Sequence, residues 1–266
     1  MTDLADSIES MHQLATGWRA IVLDREPDAD VRDLPGIAVR WADCPFAFWN
    51  CITFTEVGAD TVLIKQRLHQ AADIMRSKKH PGFLWIFEGL LDEEAIAALG
   101  PAAERAGFEH AFPGTGMAGN LLPLPEPTHP DLAFVRVTTD EHLEAYADLN
   151  SRAYGMALED GRNGLVGSTL WKNQVYAYLG MRNGVPVTCA AAMEVDGRLF
   201  VVLVATHPDW ERKGYGEAVT RKALHEGTQA TGLIRATLHA TVAGAPVYPR
   251  IGFKANSPMH FFSLKD

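Results

Sequence analysis

Cysteine is scarce. Among 266 residues there are three, Cys44, Cys51 and Cys189, too few and too scattered for a disulfide framework or a four-ligand zinc site. They read as buried free thiols, and no metal centre is expected. Long apolar runs are also missing. No window approaches the roughly 18 to 20 uninterrupted apolar residues of a membrane-spanning helix. The opening MTDLADSIESMHQLATGW is acidic and polar where a secretory signal is basic and then apolar, so a cytoplasmic protein without a membrane partner is expected. Basic charge is short as well: 24 Lys and Arg face 33 Asp and Glu, a net −9. That balance argues against a nucleic-acid surface and suits a cationic or neutral small partner. With 47% hydrophobic residues, the chain can bury one large core or two smaller ones.

Proline punctuates it once. In LLPLPEPTHPDLA, residues 121 to 133, Pro123, Pro125, Pro127 and Pro130 forbid a helix and a central strand. The segment reads as a linker between an N-terminal α/β domain, residues 1–122, and a second domain, residues 132–266. After it, AFVRVTT reads as a strand, and Thr138 with Glu141 offers a capping box to a helix carrying Leu143, Tyr146, Ala147 and Tyr154. Three apolar runs separated by Asn183-Gly184 and Asp196-Gly197 predict an antiparallel meander. A helix from Gly214 to Ala230, a strand LIRATLHA, a short helical GAPVYPRI and a last strand near MHFFSL complete a mixed α+β half.

The first half shows a helix through HQAADIMRSKK, a strand GFLWIFE, a helix from Asp92 to about Arg105 and a strand near HAF. Its AAERAGFEHAF echoes the later VYPRIGFKANS, each running helix, Gly-Phe, strand. The echo fits a weak internal duplication and fits equally a common helix C-cap followed by a buried strand.

Two glycine-rich stretches compete as anion sites. GTGMAG, Gly114 to Gly119, has the spacing of a dinucleotide turn but runs into NLLPLPEP, which cannot form the helix that such a site needs, so it reads as a turn. VVLVATHPDWERKGYGEAVTRKAL has the required context. A β run to Ala205 enters a Pro208 turn and then RKGYGE, whose glycines let backbone N–H groups converge at the positive end of the following helix. It lacks the triphosphate-loop spacing, so a diphosphate without metal fits.

These residues resemble the GNAT acetyltransferase superfamily, whose pyrophosphate loop is written [QR]-x-x-G-x-[GA] between a strand and a helix. Here the loop reads Glu211-Arg212-Lys213-Gly214-Tyr215-Gly216, and VYPRIGF is similar to a second signature with a Tyr four residues before Gly-Phe. The likeness covers about half the chain. It implies a GNAT-like domain with a central, mostly antiparallel sheet and splayed parallel strands, acetyl-CoA as cosubstrate, and direct attack by a primary amine in a ternary complex. It implies that Val204, Ala205 and Thr206 meet the pantetheine arm with backbone groups, that Arg212, Lys213, Gly214, Tyr215, Gly216 and Glu217 enclose the pyrophosphate, and that Tyr248 protonates the departing thiolate. Glu211 departs from the pattern, and with Glu217 it sets two carboxylates beside an anion site.

Of the remaining polar residues, Glu194 is a candidate base against a surface acid beside a hairpin, and His207 a candidate base against a turn-stabilising residue. Trp171, Tyr176 and Tyr178 line the acceptor pocket or pack in the core, and Cys189 packs in the core. The acceptor is a small-molecule or peptide amine, and the protein a monomer or homodimer. The competing reading is a non-catalytic acyl-CoA binding or sensing module with the same fold.

Overall fold

A computed structural model describes residues 4–123 and 125–265. The chain divides into two compact units. Unit 1 holds residues 1–118, 239–246 and 254–266. Its elements are α1 (Leu4–Arg25), β1 (Asp30–Leu34), β2 (Ile37–Trp41), β3 (Asn50–Phe54), α2 (Thr61–Arg76), β4 (Phe83–Phe87), α3 (Glu93–Ala106) and β5 (Phe108–Asn120), joined by the C-terminal strand β11 (Lys254–Leu264). The strands run in the order β1-β2-β3-β4-β11-β5, antiparallel except for the parallel β3–β4 pair. Ile37–Trp41 and Asn50–Phe54 are buried at every position, Arg40, Asn50 and Thr53 among their apolar residues, as strands covered on both faces are. One face packs with α2 and α3 through Ile52, Ile64, Leu68, Leu84, Leu99 and Phe262. On α1, Trp18 sets its ring edge-on to Trp49 and Trp85 and donates to Phe48 O at 2.6 Å.

Unit 2 holds residues 119–238 and 247–253. Its elements are β6 (Ala133–Arg136), α4 (Asp140–Tyr154), α5 (Leu158–Leu165), α6 (Thr169–Asn173), β7 (Tyr176–Arg182), β8 (Val185–Val195), β9 (Arg198–Thr206), α7 (Tyr215–Thr231), β10 (Arg235–Thr241) and a 3-10 turn at Ala245–Arg250. The strand order is β10-β9-β8-β7-β6, antiparallel from β9 to β6, with β9 and β10 parallel. The predicted meander is present, and its turns take the positive φ at Asn183, Gly184, Asp196 and Gly197 that those dipeptides tolerate. β8 is buried without alternation from Val187 to Met193, because both α4 and α7 pack against β8 and β9.

Some expectations are corrected. GTGMAG is not a turn but the end of β5, paired with β11. Its glycines allow close approach: a Cβ at Gly114 would meet the Phe261 ring at 2.7 Å, and one at Gly116 the Asn256 side chain at 2.7 Å. The helix cap of α4 is Thr139, accepting from His142 N–H at 3.2 Å, rather than Thr138. The compact units also differ from a division at 1–122 and 132–266, because β11 pairs with β4 and β5. Helix α1 and strands β1 to β3 lack a legible periodicity and were not expected. A recurrence of order is visible: helix, three-strand meander, helix, parallel strand, helical segment and strand describes α1 to β5 and again, leaving aside β6, α5 and α6, α4 to β11, the helical segment being α3 in the first series and the 3-10 turn in the second.

His239 is buried in unit 1, edge-on to Phe87 and Trp85, and its Nε2 donates to Ser10 O at 3.2 Å. Burial depresses its pKa from 6.5 to about 4 despite the bond to Ser10. Unfolded chains take up this proton near pH 6.5 and the folded protein only near pH 4, so stability present above pH 6.5 is lost as pH falls through that window. The loss is on the order of 3 kcal/mol. Urea midpoints measured from pH 7 to pH 4 should fall more steeply for the native protein than for His239→Phe; parallel curves would contradict the assignment.

Candidate active site

The site begins with a break in a strand. Opposite β8, the register of β9 jumps from Cys189↔Ala205 to Ala191↔Val202, so that Leu203 and Val204 face a single residue, a β-bulge. Leu203 takes φ +47°, a left-handed conformation unfavourable to a branched side chain. Helix α4 holds it there. Residues 146, 150 and 154 are spaced to share one helix face. Tyr146 Oη donates to Leu203 O at 2.8 Å, Tyr154 Oη donates to Val204 O at 3.0 Å, and Asn150 Nδ2 donates to Cys189 Sγ at 3.3 Å. Thr188 Oγ1 donates to Ala205 O at 2.9 Å. β10 pairs with β9 only across Leu199–Val201, and the bulged remainder continues to Thr206 without that parallel partner among the described residues.

The chain then turns at His207, whose Nδ1 accepts from Asp209 N–H at 3.3 Å and whose role is therefore that of a turn residue. Arg212 and Gly214 both take positive φ, +60° and +78°. Gly214 caps α7 with no side-chain acceptor, and Ala218 N–H is bonded to Gly214 O at 3.0 Å. The amides of Tyr215, Gly216 and Glu217 precede that first helical bond, as the first amides of any helix do. A Cβ on Gly214 would meet only His129 Nε2, at 4.0 Å, so the space at this residue is open and glycine is favoured there by conformation. Arg212, Lys213 and Gly214 are exposed. The Lys213 ammonium and the Arg182 guanidinium lie 4.8 and 4.5 Å from the Trp210 ring. Tyr215 is buried against Leu132 and Val187, so it offers the loop its backbone and not its side chain.

Glu217 does not compete for the open space. Its carboxylate accepts from Arg250 Nε at 2.8 Å and Arg221 Nε at 3.0 Å, while Arg221 Nη2 donates to Arg250 O at 2.6 Å. Burial by itself would raise its pKa, but the bonds from Arg250 and Arg221 outweigh it and hold the carboxyl below its usual range. The clamp ties the first turn of α7 to the 3-10 turn that carries Tyr248. Tyr248 is buried, edge-on to Phe253, and close enough to Tyr146 and Tyr154 to add to the burial that raises the pKa of both. Burial keeps its own proton on well into the alkaline range.

Glu194 is not brought to this place. It is exposed and pairs with Leu199 at the start of β9, about 17 Å along the strand from Val204. It is a hairpin-flanking acid, and the base assignment is withdrawn. Trp171 is fully buried beside Tyr146, and Tyr176 and Tyr178 carry the Arg136 guanidinium on their faces, so all three are framework residues. Cys189 is buried. Sequence reasoning saw Tyr146 and Tyr154 only as apolar positions of a helix. Their spacing of eight was the available signal, but nothing in it says that two hydroxyls reach one strand. The clamp partners Arg221 and Arg250 carried no signal at all.

Residues 141–262 match the family model of the acetyltransferase (GNAT) domain. Solved structures share the fold over nearly the whole chain. A GCN5-related N-acetyltransferase from Kribbella flavida superposes with a TM-score of 0.65 at 18% identity, covering 95% of this chain and 96% of that one. One from Sphaerobacter thermophilus gives 0.59 at 15% identity over 98% and 93%. An acetyltransferase of the GNAT family from Novosphingobium aromaticivorans gives 0.56 at 15% over 93% and 96%. No curated protein matches the sequence. The chain contains a GNAT acetyltransferase domain, and its class of chemistry is acyl transfer.

Glu217→Gln, which keeps the shape and removes the charge, should destabilise the protein by about 1–2 kcal/mol at pH 7. Because the folded pKa is depressed, this contribution is present above the usual carboxylate pKa and is lost below it. Melting curves of the two proteins should converge as pH drops below about 4; a difference unchanged with pH would reject the charge as its cause.

Proposed function

We propose that the protein is an acetyl-CoA-dependent N-acetyltransferase that moves an acetyl group to a primary amine by direct attack in a ternary complex. The observation that carries this reading is the uncapped start of α7 directly after the bulged end of β9: open space at Gly214, three helix amides after it, two left-handed residues ahead of them, and the one nearby helix carboxylate turned into two guanidiniums. Such a cradle suits a diphosphate. Bound there, acetyl-CoA supplies an activated thioester. The backbone of Arg212 to Glu217 holds the pyrophosphate, with Arg212 and Lys213 adding charge, and the bulged backbone of Val204, Ala205 and Thr206 orients the pantetheine arm. A neutral amine forms the new C–N bond as the C–S bond breaks, Tyr248 Oη donates its proton to the departing sulfur, and the proton shed by the nitrogen restores the phenol by way of solvent.

The recurring element order supports reading residues 1–122 as a degenerate copy of the catalytic domain, residues 132–266. The matching helix of the first copy has no comparable opening. Asp60 caps α2, its carboxylate accepting from Leu63 N–H at 2.8 Å and holding the place where a phosphate would sit. One CoA per chain follows.

Gly214→Asp should fold, since Asp tolerates the left-handed conformation, yet lose CoA binding in isothermal titration, where the native chain binds with a stoichiometry near one. Undiminished affinity would sink the cradle, and a stoichiometry near two would sink the reading of the first copy. Tyr248→Phe should lower kcat for thiol release from acetyl-CoA with an amine by roughly 100-fold or less, at nearly constant CoA affinity. Equal turnover would leave Tyr248 a packing residue, and binding without turnover across an amine panel would favour the sensing module.

A further inference from the structure

Unit 1 contains a cavity of about 460 Å³ between α3 and the strands β5 and β11, a volume within the usual range for small-molecule sites. Small residues on the helix open it. Gly100 lies inside α3, where glycine weakens a helix, and a Cβ built on it meets no atom within 4 Å. Leu99, Phe108 and Phe262 supply an apolar floor.

Three polar side chains at the rim stand in series. Glu88 Oε1 lies 2.6 Å from His260 Nε2, and His260 Nδ1 lies 3.2 Å from His110 Nε2. A carboxylate only accepts, so His260 Nε2 carries a proton and donates it to Glu88. With His110 Nε2 donating to His260 Nδ1, the remaining lone pair of the series falls on His110 Nδ1. Burial, and then the neighbouring His260, hold His110 below its ordinary pKa, which favours the neutral ring that can accept. The other charges on the cavity are Glu104, which pairs with Lys265 at 3.2 Å, and Glu109, which accepts from Ser263 Oγ at 3.4 Å. With Glu88, these leave a negative rim. Among the described residues no group of three or more His, Cys, Asp or Glu side chains is arranged to hold a metal ion.

We propose that this cavity binds a small organic ammonium ion, its aromatic or alkyl body against Phe108, Phe262 and Leu99 and its N–H donated to His110 Nδ1. The site stands apart from the acyl-transfer reading and involves none of its residues.

The test uses the full chain at pH 7.5 with 2-phenylethylamine as probe, beside 2-phenylethanol and 3-phenylpropionate, and follows calorimetry together with the imidazole NMR signals of His110 and His260. The amine should bind saturably and shift both rings. The alcohol, without the charge, should bind roughly 10- to 100-fold more weakly, and the carboxylate should not bind. Gly100→Phe fills the cavity and should abolish the ring shifts with helix content intact. His110→Leu removes the acceptor and should weaken the amine by roughly tenfold or more. Lowering the pH from 7.5 to 5 should weaken it progressively as His110 becomes cationic. Ring signals unmoved at about 10 mM amine, equal affinity for alcohol and amine, or undiminished amine-induced shifts of the His260 ring in His110→Leu would each overturn the proposal.

Discussion

Everything at the candidate site depends on two phenol hydroxyls bonding to consecutive carbonyls of one strand. A strand that ran straight to its end would offer those carbonyls to a neighbouring strand. Instead, Leu203 and Val204 are drawn out of register and bonded by Tyr146 and Tyr154 from the helix behind. Buried carbonyls must be paired somewhere, and pairing these with a helix makes the break permanent. Because the bulge lies shortly before the turn into α7, its position also determines where the first turn of that helix starts. The left-handed backbone at Leu203 is conformational strain of about 1–3 kcal/mol held by those bonds.

The second constraint is electrostatic. An anion cradle on a protein with net charge −9 cannot rely on an overall attractive field. The proposed cradle relies on local arrangement: a helix start without a side-chain cap, Arg212 and Lys213 exposed, and the nearest carboxylate of α7 bonded to Arg221 and Arg250. That bonding has a geometric consequence, since Arg250 follows Tyr248 by two residues. Neutralising Glu217 and setting the position of the Tyr248 turn are therefore one interaction, and neither can be altered alone.

The meander, α7 and its loop were legible because their determinants are local: Asn-Gly and Asp-Gly turns, an apolar run, a glycine at a helix start. Gly214 at the start of that helix could be named for the same reason. Glu194 was misjudged because strand reading identifies a face and a neighbour but gives no distance along the strand to the reacting end. GTGMAG was misjudged because glycine marks both turns and places where a neighbouring ring or side chain comes close, and only the Phe261 ring and the Asn256 side chain distinguish the two. The first half hid α1 and three strands because α1 is amphipathic only weakly, burying Ser7, Ser10 and Gln13 beside its apolar residues, and because β2 and β3 are buried at every position, Arg40, Asn50 and Thr53 included, so that no alternation marks them.

The cap of α2 has one more meaning. Asp60 stands to that helix as a tethered competitor stands to a receptor: it is present at an effective concentration no free phosphate reaches, and it stabilises the fold by about 1 kcal/mol while bound. A chain drifting toward a second anion site would have to pass through a less stable protein before any ligand could compensate. The asymmetry between the halves is thus one-way, a ratchet set by a single carboxylate.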